Sequence, residues 1–304
     1  MATRERSRPA DAMPSWTIRL LETPEEISAV ESLQLAIWPG SESDVVPAHL
    51  MIAAAHNGGL VLGAFEDDRL IGFVFGFPGV ESTPDGPRPK HCSHMAGVLP
   101  DYRDRGLGFA LKRAQWQMVR HQGLDHVTWT YDLLLSRNAH LNIARLGAVC
   151  STYRRSEYGE MRDGLNAGLP SDRFQVDWWL NTHRVERRLG KRARPAMTLS
   201  HLTRVGVRPV YGLHYGPDGL PRPPEHVPPL QEQLLAAEIP PDFMALKAAD
   251  LGLARDWRFF AREFFETAFA HGYIVTDFAF DPRAETPRSL YVLTDGESTL
   301  ESPR

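Results

Sequence analysis

The 304-residue sequence predicts a mixed α/β (α+β) chain: a sheet flanked by helices over about the first 180 residues, followed by an α+β extension. Three observations carry this. β-rich runs alternate with stretches of helical periodicity. Leu60–Phe65 and Leu70–Phe77 flank the turn residues Asp67 and Asp68 and read as a hairpin. After Leu180 the composition changes to a basic run, Arg184 to Arg194, and then to Pro-rich sequence from Pro217 to Pro229.

Trp16–Leu21 reads as the first strand. A helix follows, with Thr23 as N-cap, Pro24 at the first helical position and Glu26 completing a capping box. Ile27, Val30, Leu33 and Ile37 form its apolar stripe. A second helix starts near Pro47 and stops before Gly58 and Gly59. Beyond the hairpin, Pro78–Lys90 reads as a loop, His91–Val98 as a strand, and Leu107 to Gly123 as a helix with Leu107, Ala110, Leu111, Ala114 and Met118 on one stripe. His126–Tyr131 is a strand, Asn138–Leu146 a short helix, and Val149–Tyr158 and Arg173–Leu180 two more strands. The extension offers a strand ending near Ile239, an aromatic helix over Leu251–His271, and strands at Tyr273–Phe280 and Leu290–Leu293. The expected divisions are a loose polar tail at 1–15, a first domain at 16–182, a linker at 183–200 and an accessory subdomain at 201–304.

The charge balance, 34 basic against 38 acidic residues, argues against nucleic-acid or membrane binding by the chain as a whole. Cys92 and Cys150 alone make no disulfide framework, so a cytoplasmic location is expected. No apolar run reaches the roughly 18 residues of a membrane span. Arg4, Arg6 and Arg8 precede no apolar core of a secretory signal. The histidines show no metal-ligand spacing, and no metal is expected.

The informative segment is Val98-Leu99-Pro100-Asp101-Tyr102-Arg103-Asp104-Arg105-Gly106-Leu107-Gly108, between a strand and a helix. Gly106 and Gly108 remove side chains where the backbone turns, and a helix N-terminus offers free N–H groups and a positive dipole to a phosphate. A dinucleotide fingerprint needs a further glycine where Leu111 stands. A Walker loop needs a Gly-Lys-Ser/Thr that does not follow Gly106. Arginines at a helix start are locally unfavourable unless an anion is near.

With Arg103, Gly106 and Gly108 spaced as Arg-x-x-Gly-x-Gly, and Val98 and Pro100 upstream, the segment resembles the acyl-CoA loop of the GCN5-related N-acetyltransferase (GNAT) superfamily. The order of elements over Trp16 to Leu180 is similar too. The resemblance implies a mixed, twisted, mostly antiparallel sheet flanked by helices. It implies CoA in a V-shaped gap between His91–Val98 and His126–Tyr131, backbone groups near Gly97 and Val98 on the pantetheine arm, and the pyrophosphate on Arg103, Asp104, Arg105, Gly106, Leu107 and Gly108. Asn138 and Asn142 are further candidates for CoA, with helix capping and solvation as their alternative reading.

The implied reaction is direct attack of an amine on acetyl-CoA, or on another acyl-CoA such as succinyl-CoA, with a small molecule or amino acid as acceptor. A base is useful because an alkylammonium has a pKa near ~10. His94, Asp132 and Glu157 are the candidates. A core histidine and a turn-capping aspartate are the alternative readings of the first two. Many members carry a tyrosine that protonates the leaving thiolate, and that position falls on Ile143 here. Tyr158, Tyr131 or Tyr153 could substitute. A competing reading is a non-catalytic CoA-binding module. A homodimer is an expectation from the resemblance alone.

Overall fold

The computed structural model describes residues 16–39, 44–161, 166–190, 197–204, 206–281 and 287–296. The expected tail at 1–15 and the end of the basic run, including Arg192 and Arg194, lie outside them. Strand β1 (Trp16–Leu20) leads into α1 (Pro24–Ile37) and α2 (Ala48–His56). Thr23 and Glu26 make the reciprocal capping box, and Ile27, Val30, Leu33 and Ile37 are buried. Next come β2 (Leu60–Glu66), β3 (Arg69–Thr83), β4 (Gly86–Val98), a short 3-10 turn (Pro100–Tyr102), α3 (Leu107–His121) and β5 (His126–Tyr131). Helix α4 (Ser136–Ala139) continues as a π-helical turn, His140–Arg145, before β6 (Val149–Arg154) and β7 (Arg173–Trp179).

The extension adds α5 (His183–Leu189), α6 (Leu199–Arg204), the short β8 (His214–Tyr215) and β9 (Pro221–Arg222), β10 (Leu234–Ile239), α7 (Phe243–Ala249), α8 (Leu251–Ala270), β11 (Tyr273–Asp281) and β12 (Arg288–Asp295).

Ten strands form one sheet in the order β1-β2-β3-β4-β5-β7-β6-β11-β12-β10, mostly antiparallel. β6 and β11 meet at the single pair Cys150–Val275. The extension therefore continues the sheet edge, and α8 packs back over it: Phe265 and Phe269 meet Phe174 of β7. Tyr131 and Tyr291 join hydroxyls at 3.1 Å, and Tyr291 donates to the Leu133 carbonyl. One apolar core spans both parts.

Three expectations are corrected. Pro78–Lys90 is a continuation of the β3–β4 hairpin and not a loop. Its prolines are tolerated because β3 has left β2 after Gly76 and β4 has not yet met β5 at His91, so each strand has one neighbour. The strand expected at Val149–Tyr158 ends at Arg154, which puts Glu157 and Tyr158 on a turn. The stretch 183–189 is helical. Its Arg184 donates to the Gly147 and Thr276 carbonyls, and its Arg188 to the Ala144 carbonyl and Asp277. Those arginines satisfy carbonyls at the end of the π-helical turn and tie it to β11.

Candidate functional site

β4 and β5 are the one parallel pair among the named strands, and they pair at only two rungs, His91–Val127 and Cys92–Thr128. Beyond those rungs each strand runs on unpaired by the other, β4 to Val98 and β5 to Tyr131. A wedge opens between them. Where it starts, β4 carries a bulge: Cys92 faces Phe77 and Met95 faces Phe75, so Ser93 and His94 share the place opposite Gly76.

An antiparallel ladder alternates between residues bonded to the partner strand and residues turned away. Leu99 N–H bonds to the Ile71 carbonyl. By that alternation Gly97 is bonded to β3, and Val98 and Ala96 present their backbone groups to the wedge. Gly97 has a different use. A Cβ there would sit 2.7 Å from the Trp38 ring and 2.8 Å from Ile37 Cδ1, so its missing side chain lets α1 close on the sheet.

The wedge widens toward the loop at 99–106 and the start of α3. Gly106 sits at the N-cap with φ +87°, a conformation that costs other residues about 1–2 kcal/mol. No side chain caps α3 and no acidic residue lies in its first turn, so its first N–H groups and positive dipole end are open to an anion. Leu107 is buried and anchors the helix start. Gly108 is open: a Cβ there would reach only Leu141 and Val98, at ordinary contact distance. Arg103, though exposed, folds back along the loop and donates to the Val98 and Ile37 carbonyls, both at 3.3 Å. It braces the loop, and it occupies one of the two backbone acceptors expected from the Gly97–Val98 pair. Arg105 lies 5.2 Å from the Tyr102 ring centroid. Asp104 pairs with Arg137 of α4 at 3.1 Å, across the wide end of the wedge.

The candidate bases do not converge. His94 stands on the bulge beside the narrow end, its ring 5.9 Å from both Phe75 and Phe77, and partial burial lowers its imidazolium pKa from 6.5. Asp132 is at the other end of β5, 8% exposed, in a bidentate pair with Arg258 of α8 at 2.8 and 2.6 Å. Burial alone would raise its pKa; the charge and hydrogen bonds of Arg258 outweigh that and hold it below 3.8. Asp132 also accepts the Leu134 N–H at 3.0 Å, in keeping with the turn-capping reading. Glu157 is exposed on the turn and its N–H bonds to the Ser171 carbonyl. Tyr158 is half exposed, its hydroxyl 2.6 Å from Thr130 of β5. His94 and the Tyr158–Thr130 pair thus flank the wedge from its two strands.

Asn138 is exposed on α4, and Asn142 is buried in the π-helical turn. Ile143 is fully buried, so the position expected to hold a tyrosine is apolar core.

Sequence reasoning missed three groups. Lys112 is 3% exposed and joins Ser93, Gln115 and His91 in a buried polar chain under the bulge. His126 is buried between Asp177 (2.9 Å) and Glu81 (3.2 Å) and stacks on Trp179 at 3.8 Å. Arg258 lies 126 residues from the Asp132 it holds. Only Lys112 had a local signal: it shares the helical face of Leu111, Trp116 and Val119. Among the described residues no cluster of three His, Cys, Asp or Glu could hold a metal, and no helix is long and apolar enough to cross a membrane.

Residues 27–147 match the family model described as Acetyltransferase (GNAT) family. No curated protein matches. Similar solved structures include the ribosomal-protein-S18-alanine N-acetyltransferase of Escherichia coli (17% identity, 54% of this chain, 94% of that one, TM-score 0.41). A putative acetyltransferase from Salmonella typhimurium with its cofactor acetyl-CoA shows 18% identity over 56% of this chain and 96% of that one, TM-score 0.41. Arabidopsis thaliana NAA60 with acetyl-CoA shows 15% over 54% and 99%, TM-score 0.43.

Proposed function

We propose that the chain, whose residues 27–147 match the GNAT acetyltransferase family model, is an acyl-CoA-dependent N-acyltransferase that moves an acetyl group from acetyl-CoA to the amine of a small molecule or amino acid. The observation that carries this is the β4–β5 wedge, paired at two rungs and widening onto the uncapped start of α3. The diphosphate of CoA would rest on the N–H groups following Gly106, with Arg105 beside it. The pantetheine arm would lie between the strands and bond to the backbone groups of Ala96 and the N–H of Val98, whose carbonyl is held by Arg103. A backbone N–H on β4 would polarise the thioester carbonyl.

The amine then attacks the carbonyl carbon directly. His94, beside the narrow end and with its imidazolium pKa lowered by desolvation, takes the amine's proton. Its accepting state exists above its lowered pKa and is lost as pH falls through it. Asp132 positions instead of reacting: its carboxylate is committed to Arg258, which links the end of β5 to the extension. Glu157 and Tyr158 lie on the turn before β7, and Tyr158 at Thr130 borders the acceptor side.

A second reading, a CoA-binding module without chemistry, draws on the burial of Ile143 where a proton-donating tyrosine is expected. The two are separated by incubating the protein with acetyl-CoA or succinyl-CoA and a panel of amino acids and small amines, and following free CoA thiol. Acceptor-dependent thiol release supports transfer and identifies the donor. CoA binding without release for any acceptor supports the module.

A further inference from the structure

Lys112 lies at the closed end of the wedge. On β4 the first residue past the last β4–β5 rung is Ser93, and on β5 it is Trp129. Lys112 Nζ donates to Ser93 Oγ at 2.8 Å and lies 3.8 Å from the centroid of a Trp129 ring. It therefore spans the two strands where they part. Its remaining neighbours are Gln115 Oε1 at 2.8 Å and the Trp178 ring at 5.3 Å.

None of these partners is anionic. Among the described residues no carboxylate lies within ion-pair distance of Nζ. An ammonium this deeply buried is ordinarily paired with an anion. The titratable groups packed around it are His91 and Cys92 of β4; Gln115 of its own helix and Trp129 and Trp178 of β5 and β7 do not titrate. Burial first, and then the charge of Lys112, lowers the His91 pKa to about 4, so His91 stays neutral and supplies no counter-charge. The site holds a proton donor and half of an ion pair at the end of a cleft.

We propose that Lys112, acting through Ser93, stabilises the negative charge that develops on the departing CoA sulfur and then supplies its proton. This rests on the acyl-CoA reading above and fills the role left open by Ile143. The nitrogen–carbon bond forms as the carbonyl π pair moves to oxygen. When the oxyanion collapses, the carbon–sulfur bond breaks and its electron pair stays on sulfur. The Ser93 hydroxyl, which donates to Gln115 Oε1 at 3.0 Å in the structure, rotates toward the sulfur and gives it its proton while a Lys112 N–H proton passes to Ser93 Oγ. Lys112 is left neutral and regains a proton from water. Ser93 is the group that meets the sulfur, and Lys112 charges and positions it. Burial lowers the lysine pKa to about 7, with the Cys92 thiol opposing, which suits a group that must give up its proton near neutrality.

The test needs no acceptor. Free CoA is bound to the full chain, and its thiolate absorbance is titrated against pH, with desulfo-CoA as the blank to remove the protein's own thiols. Thiolate and ammonium stabilise each other, so bound CoA should hold the proton on Lys112 to higher pH than in the free protein, and the bound thiol in the wild type should ionise about one pH unit lower than in Lys112→Met, about a tenfold larger thiolate fraction below the midpoint. Equal midpoints with equal CoA affinity overturn the proposal and leave the acyl-CoA reading intact. A wild-type chain that binds no CoA in calorimetry overturns both. If Lys112→Met does not fold, Ser93→Ala takes its place: a midpoint raised above wild type supports the proposal, and an unmoved one overturns it.

Discussion

Replacing Arg258 by Met should be among the most damaging single changes in the chain. Arg258 is 1% exposed and Asp132 8%. Two hydrogen bonds, at 2.8 and 2.6 Å, join them. Arg173, 3.9 Å from the same carboxylate, is too distant to replace both bonds. Removing one partner of such a buried pair leaves an uncompensated charge and costs about 3–5 kcal/mol. For a chain of this size that corresponds to a melting-temperature drop of roughly 6–15 °C. The effect also has a pH signature. In the wild type Asp132 has a depressed pKa, so its contribution is present above the ordinary carboxylate value and is lost as pH falls through the folded value. In Arg258→Met the carboxyl, still buried, moves the other way, and its penalty vanishes once it is protonated. The difference between the two proteins should be largest at neutral pH and shrink toward pH ~4. Denaturant titrations of both proteins across that range measure it. A loss under 1 kcal/mol, or one that does not change with pH, would refute the argument that Asp132 is a positioning group spent on Arg258.

Three further outcomes are expected. Gly106→Ala meets no steric obstacle but must hold φ +87°, so it should cost about 1–2 kcal/mol in a denaturant melt; no change would mean the loop relaxes at no cost. His94→Ala should lower kcat roughly 100-fold and abolish the activity loss on acidification, since His94 accepts only when neutral; an intact acid limb would move the base elsewhere. Wild-type stability relative to Lys112→Met should rise by about 1.4 kcal/mol per pH unit between about pH 7 and 10.5, because the unfolded chain binds the lysine proton there and the folded chain does not; parallel curves would show that Lys112 keeps its proton throughout.

What the sequence disclosed was local. The capping box of Thr23 and Glu26, the turn at Asp67 and Asp68, and the loop from Val98 to Gly108 each lie within a dozen residues, where chain geometry and side-chain chemistry act together. The helical stripe of α3 was only half legible. Leu107 and Leu111 are buried and Ala114 and Met118 pack against the core at its margin, but Lys112 and Gln115, which complete the buried face, do not read as core. A lysine reads as a solvated position unless the wheel is followed through Trp116 and Val119. The fate of Asp132 was not legible, because its partner is 126 residues off in the chain, on a helix whose aromatic residues give no sign of a buried arginine. The arginines of α5 look like a solvated linker in sequence; Arg187 is exposed, but Arg184 and Arg188 reach the carbonyls that Gly147 and Ala144 leave to satisfy.

The central claim is that the wedge and the start of α3 hold an acyl-CoA. Its most direct measurement is calorimetric titration of the full chain with acetyl-CoA, with NAD as control and with Gly106→Val as the blocked loop. The account predicts saturable binding of acetyl-CoA by the wild type, no binding of NAD, and affinity at least tenfold weaker in Gly106→Val, about 1.4 kcal/mol. Wild-type protein that takes up no acetyl-CoA, or a Gly106→Val chain that is folded and binds it equally well, would contradict the claim.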